Sequence, residues 1–507
     1  MEVEPGAMTQ DVKYVNLQQM SNGGDAAFRL ALHNAPDLAC EDIVRRVAGK
    51  RLVCRGSWDN RVVYAKLFIG KQAQRYARRD LRGSNALAEA GILTPRLLYS
   101  GSITGGAGEA LVFEAIADSM NAEQAWDEMP QLSAARLELA KLLVAAVAQH
   151  HQAGLIQTDL YLKNFLVQGN RIYTLDGDGI RSLSVCRRHR CLHNLAVLLS
   201  KFDVLEIEAW LPQLLRYYAE QRNLALPDIN LRTMQKQVAR QRHGVVAGYV
   251  NAKIFRTCTD IHVESGSRFF LAIARPYVND SLRQALEQPD SLLQEGISVR
   301  LKSGNTCTVS LSEVAGRKIV VKRYNIKNFW HGLGRALRVT RAAASWSNAH
   351  RLMMYNIATA VPVALLEKRC GIIRRQAYLL AEYIDAPDVD AFFADATVDV
   401  EHKTQAASGI AQLFYKLYLL RIEHGDFKAT NMKIVDGQPC LIDLDSMREY
   451  RCNWRFNRRH ARDLRRFMRN WQADAATTSI LTTAFRTTYK DASPLDGAGI
   501  KSEIKSG

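Results

Sequence analysis

The sequence predicts an α+β protein of two tandem domains, each a small β-rich lobe followed by a helical lobe. Three observations carry that prediction. The stretches QTDLYLKNFLVQGNRIYTLDGD (157–178) and HGDFKATNMKIVDGQPCLIDLD (424–445) place Asp, Asn and Asp at the same spacings, five and then twelve residues. The first residues of the two triads, Asp159 and Asp426, are 267 apart, which is the period of a duplicated domain and not of a short solenoid repeat. The chain has 507 residues, too many for one ordinary core.

The elements ahead of each triad follow one order. VVYAKLF (62–68) and IVVKRYN (319–325) read as strands, each with a central lysine, Lys66 or Lys322. A helical segment and then a proline, Pro95 or Pro362, come next. ALVFEAI and YLLAEYI follow as buried strands that leave into a connector at Glu114 or Glu382. SAARLELAKLLVAAVAQHHQAG then reads as a helix capped by Ser133 and stopped at Gly154, with Leu139, Leu142, Leu143, Ala146 and Val147 at helical period. TQAASGIAQLFYKLYLLRIEHG is its second copy, ending at Gly425. Domain 1 is placed at 25–235 and domain 2 at 245–490, with a basic linker at 236–244 and loose tails at 1–24 and 491–507.

Phosphoryl transfer from ATP needs positive charge on the phosphates, a cation held by hard oxygen ligands and a carboxylate that accepts the hydroxyl proton. Protein kinases supply these from a strand lysine, an Asp-x4-Asn loop and an Asp after a short hairpin. On that template Asp159 and Asp426 are bases, and Lys66 and Lys322 hold phosphate. Asn164, Asp176, Asn431 and Asp443 are the Mg2+ ligands. A lone Asp-x4-Asn reads equally well as an Asx turn. Two copies with identical internal spacing do not.

At this point the chain resembles the bacterial lipopolysaccharide kinases that phosphorylate Kdo or heptose. In domain 2 the resemblance rests on LKSGNTCTV, VVKRYNIKN, RALRVTRAAASWSNAHRL, HGDFKATNM and LIDLD. In domain 1 it rests on GILTPRLL, HQAGLIQTDLYLKNFLV and the strand-end Asp. It implies a protein-kinase-like fold in each domain, and ATP with Mg2+. The implied acceptor is a sugar hydroxyl of the lipopolysaccharide core or a lipid-linked oligosaccharide. The implied location is the cytoplasmic face of the inner membrane of a Gram-negative bacterium, with the protein peripheral on that surface.

Departures from the template are visible. Neither copy has a Gly-x-Gly-x-x-Gly loop. Ser303-Gly304-Asn305 is the expected phosphate turn in domain 2, with Gly304 and Asn305 at the nucleotide, and Arg55-Gly56-Ser57 is the weaker candidate in domain 1. No Asp or Glu lies between Lys322 and Glu367, so Lys322 must pair elsewhere, for example with Asp443, or work unpaired. Lys66 has Asp80 and Glu89 within reach in sequence. Asp178 and Asp445 are expected to brace the metal loop.

A net charge of +17 favours anionic partners. Nine arginines run from Arg448 to Arg469, interleaved with Trp454, Phe456, Phe467 and Trp471, and suit phosphate recognition or lipid headgroups. No base-reading or stacking motif accompanies the charge, so nucleic acid is not an expected partner. The nine cysteines form no CxxC pair and read as reduced thiols, and Cys186 and Cys191 lack a second ligand pair nearby. Two alternative readings remain. One is a small-molecule kinase of the aminoglycoside or choline type, against which the arginine runs argue. The other is a pseudokinase scaffold in glycolipid assembly.

Overall fold

The computed structural model describes residues 17–21, 23, 27–183, 188–225, 229–294, 298–304, 307–324, 339–371 and 373–500. The chain divides into two compact units, Met1–Gln241 and Arg242–Gly507, each of mixed helix and sheet.

Unit 1 begins with β1 (Phe28–Leu30), β2 (Leu38–Val47), β3 (Arg51–Trp58) and β4 (Arg61–Phe68). Helix α1 (Ala73–Glu89) follows, then β5 (Leu97–Ile103) and β6 (Gly108–Glu114). The strands form an antiparallel sheet in the order β1-β2-β3-β4-β6-β5. Strand alternation turns Val63, Ala65 and Leu67 of β4 into one core layer and leaves Lys66 on the opposite face. Ala73 and Ala77 of α1 pack beside that face with Phe68, Leu111 and Phe113.

The second half of unit 1 is helical. Helix α2 (Ala134–Gln152) starts where the sequence indicates, with the Ser133 hydroxyl accepting the Arg136 N–H at 3.2 Å, and gives way at Gly154 with φ +68°. Its Leu139, Leu143, Val144 and Val147 pack with Leu211, Leu214 and Tyr218 of α4 (Val204–Gln221). Each fully buried leucine contributes about 1.5–3 kcal/mol of transfer free energy. Between them lie the hairpin β7 (Phe165–Gln168) and β8 (Arg171–Thr174) and helix α3 (Arg188–Leu199). The expected linker, 236–244, lies inside a helix, α5 (Leu231–Val250), within which the division between the units falls.

Unit 2 repeats the plan. Strands β9 (Ile261–Ser265), β10 (Phe269–Ala274), β11 (Ser298–Gly304), β12 (Cys307–Val314) and β13 (Arg317–Tyr324) precede α6 (Arg341–Met354). After β14 (Pro362–Cys370) and β15 (Ile373–Glu382), the antiparallel sheet has the order β9-β10-β14-β15-β13-β12-β11. Helix α7 (Val400–Leu420) is capped by Asp399. It ends at Arg421 with φ +57°, earlier than the expected Gly425, because Ile422–Glu423 pairs as a strand with Arg448–Glu449. The hairpin β16 (Met432–Val435) and β17 (Gln438–Leu441) leads to α8 (Asn453–Met468) and α9 (Ala475–Thr488). Phe414 of α7 stacks on Phe427 at 4.1 Å and meets Phe467 and Phe485 edgewise or tilted, forming an aromatic core.

The tails need correction. Leu17–Met20 is a helical turn with Leu17 buried, and Ser493–Ala498 is a helix with Pro494 and Leu495 buried. Apolar side chains in both segments find cover, which a polar-tail reading overlooks.

Candidate active site

In unit 1 the strand lysine, the hairpin Asp and a helix carboxylate meet. Lys66 Nζ lies 2.7 and 3.0 Å from the two oxygens of Asp80 on α1, and 3.2 Å from Asp176. Of the two carboxylates expected near Lys66, the structure selects Asp80, whose side chain is 0% exposed. Burial raises the Asp80 pKa, against the pull of Lys66. Burial works in the same direction on Asp176, but Lys66 and Arg51 outweigh it and hold that carboxyl below its ordinary value. Arg51, at the start of β3, is 3.7 Å from Asp176.

The triad loop is tied to the hairpin by repeated bonds. Asn164 Nδ2 donates to the Asp159 carbonyl at 2.7 Å, and the Leu175 N–H donates to the Asn164 carbonyl at 2.8 Å. Gln157 Nε2 donates to the Leu175 carbonyl at 3.1 Å. These contacts answer why the spacing is five and then twelve. The hairpin returns the chain alongside the Asp-x4-Asn loop, and Asp176 emerges next to it.

Unit 2 builds the same arrangement. Asn431 Nδ2 donates to the Asp426 carbonyl at 2.8 Å, and the Ile442 N–H donates to the Asn431 carbonyl at 3.0 Å. His424 Nε2 donates to the Ile442 carbonyl at 3.2 Å, the place Gln157 occupies in unit 1. Burial lowers the His424 pKa, against the pull of Asp443 and Asp426, and so favours the neutral ring. Lys322 Nζ is 2.6 Å from Asp443 and 3.0 Å from Asp445. Burial alone would lower the Lys322 pKa, but Asp445 and Asp443 raise it above its ordinary value. Burial opposes ionisation of Asp443 too, and Lys322 overcomes it. The Asp426 carboxylate is paired by Arg466 of α8, with Lys428 at 3.7 Å.

Asp176 and Asp443 both adopt left-handed backbone, with φ +65° and +57°. Asp tolerates that conformation better than most residues, and the two aspartates share it at the same place in each unit.

Sequence reasoning missed several members. Asp463 of α8 accepts the N–H groups of His424 at 2.8 Å and Gly425 at 3.2 Å and so fixes the loop that carries Asp426. Its signal was hidden inside the arginine run. The run itself divides: Phe456, Phe467 and Trp471 are buried, whereas Trp454 is 60% exposed and stacks with Arg455 and Arg458. In unit 1 the turn beside Lys66 is not Arg55-Gly56-Ser57. Those residues lie within β3, where a Cβ on Gly56 would stand 1.8 Å from the Ala39 carbonyl oxygen. The turn between β2 and β3 is Ala48-Gly49-Lys50, with Gly49 at φ +64°. In unit 2 the matching hairpin joins β11, which ends at Gly304, to β12. Asn305 lies outside the described residues, as does Cys186.

The donors suit a hard cation. Each unit offers a carboxylate and a side-chain amide oxygen, since the Asn Nδ2 is already engaged as a donor. Among the described residues no cluster of three or more His, Cys, Asp or Glu forms a metal cage. Mg2+ is commonly held by one or two such oxygens together with water and substrate phosphate.

Residues 296–489 match the family described as Lipopolysaccharide kinase (Kdo/WaaP). Unit 2 carries the lipopolysaccharide kinase match. It spans β11 to α9 and includes Lys322, Asp426, Asn431 and Asp443. No curated protein matches the chain. Among solved structures, WaaP in complex with acyl carrier protein is 18% identical, with 40% of this chain and 88% of that chain covered and a TM-score of 0.32. The Mycobacterium tuberculosis PknI kinase domain is 17% identical, with 41% and 98% covered and a TM-score of 0.28. Vaccinia related kinase 3 is 14% identical, with 33% and 56% covered and a TM-score of 0.24.

Proposed function

We propose that this protein is an ATP-dependent phosphotransferase acting on a sugar hydroxyl of the lipopolysaccharide core, heptose or Kdo, and that unit 2 performs the transfer. The observation that carries the reading is a coincidence within one unit. The lipopolysaccharide kinase match covers the same residues that converge as Lys322, Asp443 and the Asp426–Asn431 loop.

ATP supplies the phosphoryl group, and Mg2+ supplies charge neutralisation. Asp443 and Asn431 would present their oxygens to the cation. Lys322 presents its ammonium to the phosphates. Asp426 accepts the proton of the attacking sugar hydroxyl through its carboxylate once Arg466 yields it. Asp463 and His424 hold the Asp426 loop at backbone atoms and take no part in proton transfer.

Unit 1 repeats the constellation with Lys66, Asp159, Asn164 and Asp176, and we read the chain as two tandem protein-kinase-like domains. The exposed arginines of α8 and Trp454 form the face offered to the anionic glycolipid and to the cytoplasmic surface of the inner membrane. No helix among the described residues is long and apolar enough to cross a membrane.

The test is ATP-dependent incorporation of phosphate into extracted core lipopolysaccharide. Magnesium-dependent transfer, lost on chelation, supports the reading. Failure of the wild-type chain to transfer to any core glycolipid contradicts it.

A further inference from the structure

A phosphate-binding lysine needs a fixed carboxylate, because its four-carbon stem is flexible and its ammonium otherwise samples many positions. In unit 1 the carboxylate is Asp80 of α1. Helix α6 of unit 2 has no acidic residue to offer, nor has any position between Lys322 and Glu367. We propose that Asp445, the second acid of the LIDLD strand end, is the positioning residue that holds Lys322 in place of a helix carboxylate. The proposal rests on the reading of Lys322 as a nucleotide-binding residue.

Three positions differ together between the units. Asp445 lies 3.0 Å from Lys322 Nζ, and its side chain is 4% exposed. Its counterpart Asp178 is 28% exposed and is bound by Arg79 at 2.7 Å. Two residues after the lysine, unit 1 has Phe68 and unit 2 has Tyr324, and the Tyr324 hydroxyl donates to Asp445 at 2.5 Å. On the helix, Ser345 donates to the same oxygen at 2.6 Å, and Arg341 holds the other oxygen at 2.7 Å. The Tyr324 hydroxyl and the Ser345 hydroxyl are what a relocated carboxylate requires to be oriented, since a buried carboxylate must have its lone pairs filled.

The relocation has a functional consequence. Asp443 is needed for the cation, so without Asp445 the ammonium of Lys322 would lose its carboxylate when Asp443 turned to the metal. Asp445 keeps the ammonium in place while Asp443 is engaged.

The experiment measures magnesium-ATP affinity of the full-length chain carrying Lys66→Met, which silences the unit 1 lysine. Asp445→Asn, Lys322→Met, their double variant and Asp445→Asn/Ser345→Asp are compared, with thermal unfolding of each. Asp445→Asn is expected to weaken ATP binding about tenfold, the scale of one charged contact. The double variant should bind no more weakly than Lys322→Met alone, because the two residues act as one unit. Ser345→Asp should recover most of the loss by supplying a helix carboxylate as Asp80 does. Additive losses, unchanged affinity in Asp445→Asn, or absence of ATP binding before the Asp445 change would overturn the proposal. A chain that binds ATP and follows this cycle, yet transfers no phosphate to core glycolipid, would sink the proposed function and leave the Lys322–Asp445 pairing standing.

Discussion

Unit 1 and unit 2 arrive at the same constellation with different supports. Both bind the Asn side chain to the carbonyl of the Asp five residues earlier, at 2.7 and 2.8 Å, and both place the hairpin Asp in left-handed backbone. The supports around them are exchanged. Gln157 stands where His424 does, Asn194 donates to the Gln157 carbonyl where Asp463 accepts from His424, and the lysine is held by a helix acid in one unit and a hairpin acid in the other. The lysine and triad side chains are thus the same in both units, while the groups that hold them differ and share only hydrogen-bonding capacity.

The largest difference expected between the units is catalytic. Lys322→Met should lower kcat/KM for transfer to core lipopolysaccharide by roughly 10²–10³, the scale of losing one preorganised charge donor. Lys66→Met should change it by less than about threefold. Equal losses would make the two sites equivalent.

The next difference is in pH dependence. Burial pushes the Asp463 carboxyl from its ordinary 3.8 up to about 7 despite the two backbone N–H groups it accepts. A raised carboxyl contributes stability below pH 3.8 that is lost as the pH climbs to about 7, worth up to about 4 kcal/mol for a buried group. Unit 1 has the neutral Asn194 at this place. Asp463→Asn should therefore remove that loss from unit 2, measured as denaturation midpoints between pH 4 and 7. A wild type and variant that run parallel over this range would contradict the assignment.

Packing against the hairpin comes third. A Cβ on Gly83 of α1 would lie 1.9 Å from the Gly177 carbonyl oxygen, so Gly83→Ala should destabilise unit 1 by about 1–3 kcal/mol. In unit 2 the same contact is polar, with Asn348 Nδ2 donating to Leu444 and Met447 carbonyls at 3.0 and 3.1 Å. Asn348→Ala should cost a similar amount by taking the side-chain donor from the Met447 carbonyl, while the Leu444 carbonyl keeps the Met447 N–H. Thermal unfolding checks both. The smallest effects are at the helix caps: Ser133→Ala in unit 1 and Asp399→Ala in unit 2 should each cost about 1 kcal/mol, and chemical denaturation resolves that.

The sequence made some of this legible and hid the rest for physical reasons. Lys66, Lys322, the two triads and the Ser133–Gly154 helix could be read because period, spacing and capping are local signals. Asp80 could be named only together with Glu89, and the contact with Lys66 decides between them. The hold of Asp445 on Lys322 and the contacts of Asp463 and Arg466 were out of reach, since each acts through a partner 38 or more residues away with no spacing rule. The Arg55-Gly56-Ser57 error has a similar origin. A glycine can serve close strand approach as well as a turn, and the two uses look alike in one dimension. The aromatics of 454–471 were ambiguous because a helix carries both a buried stripe and an exposed one, and only Trp454 falls on the outside.

The central claim is that unit 2 is the phosphotransferase. The direct test compares phosphate incorporation into extracted core lipopolysaccharide by the wild type, Asp159→Ala, Asp426→Ala and the double variant. Loss of the base in unit 2 should lower the rate by roughly 10²–10⁴, while Asp159→Ala retains transfer and the double variant matches Asp426→Ala. Full activity in Asp426→Ala, with loss only in Asp159→Ala, would contradict the claim and move the chemistry to unit 1.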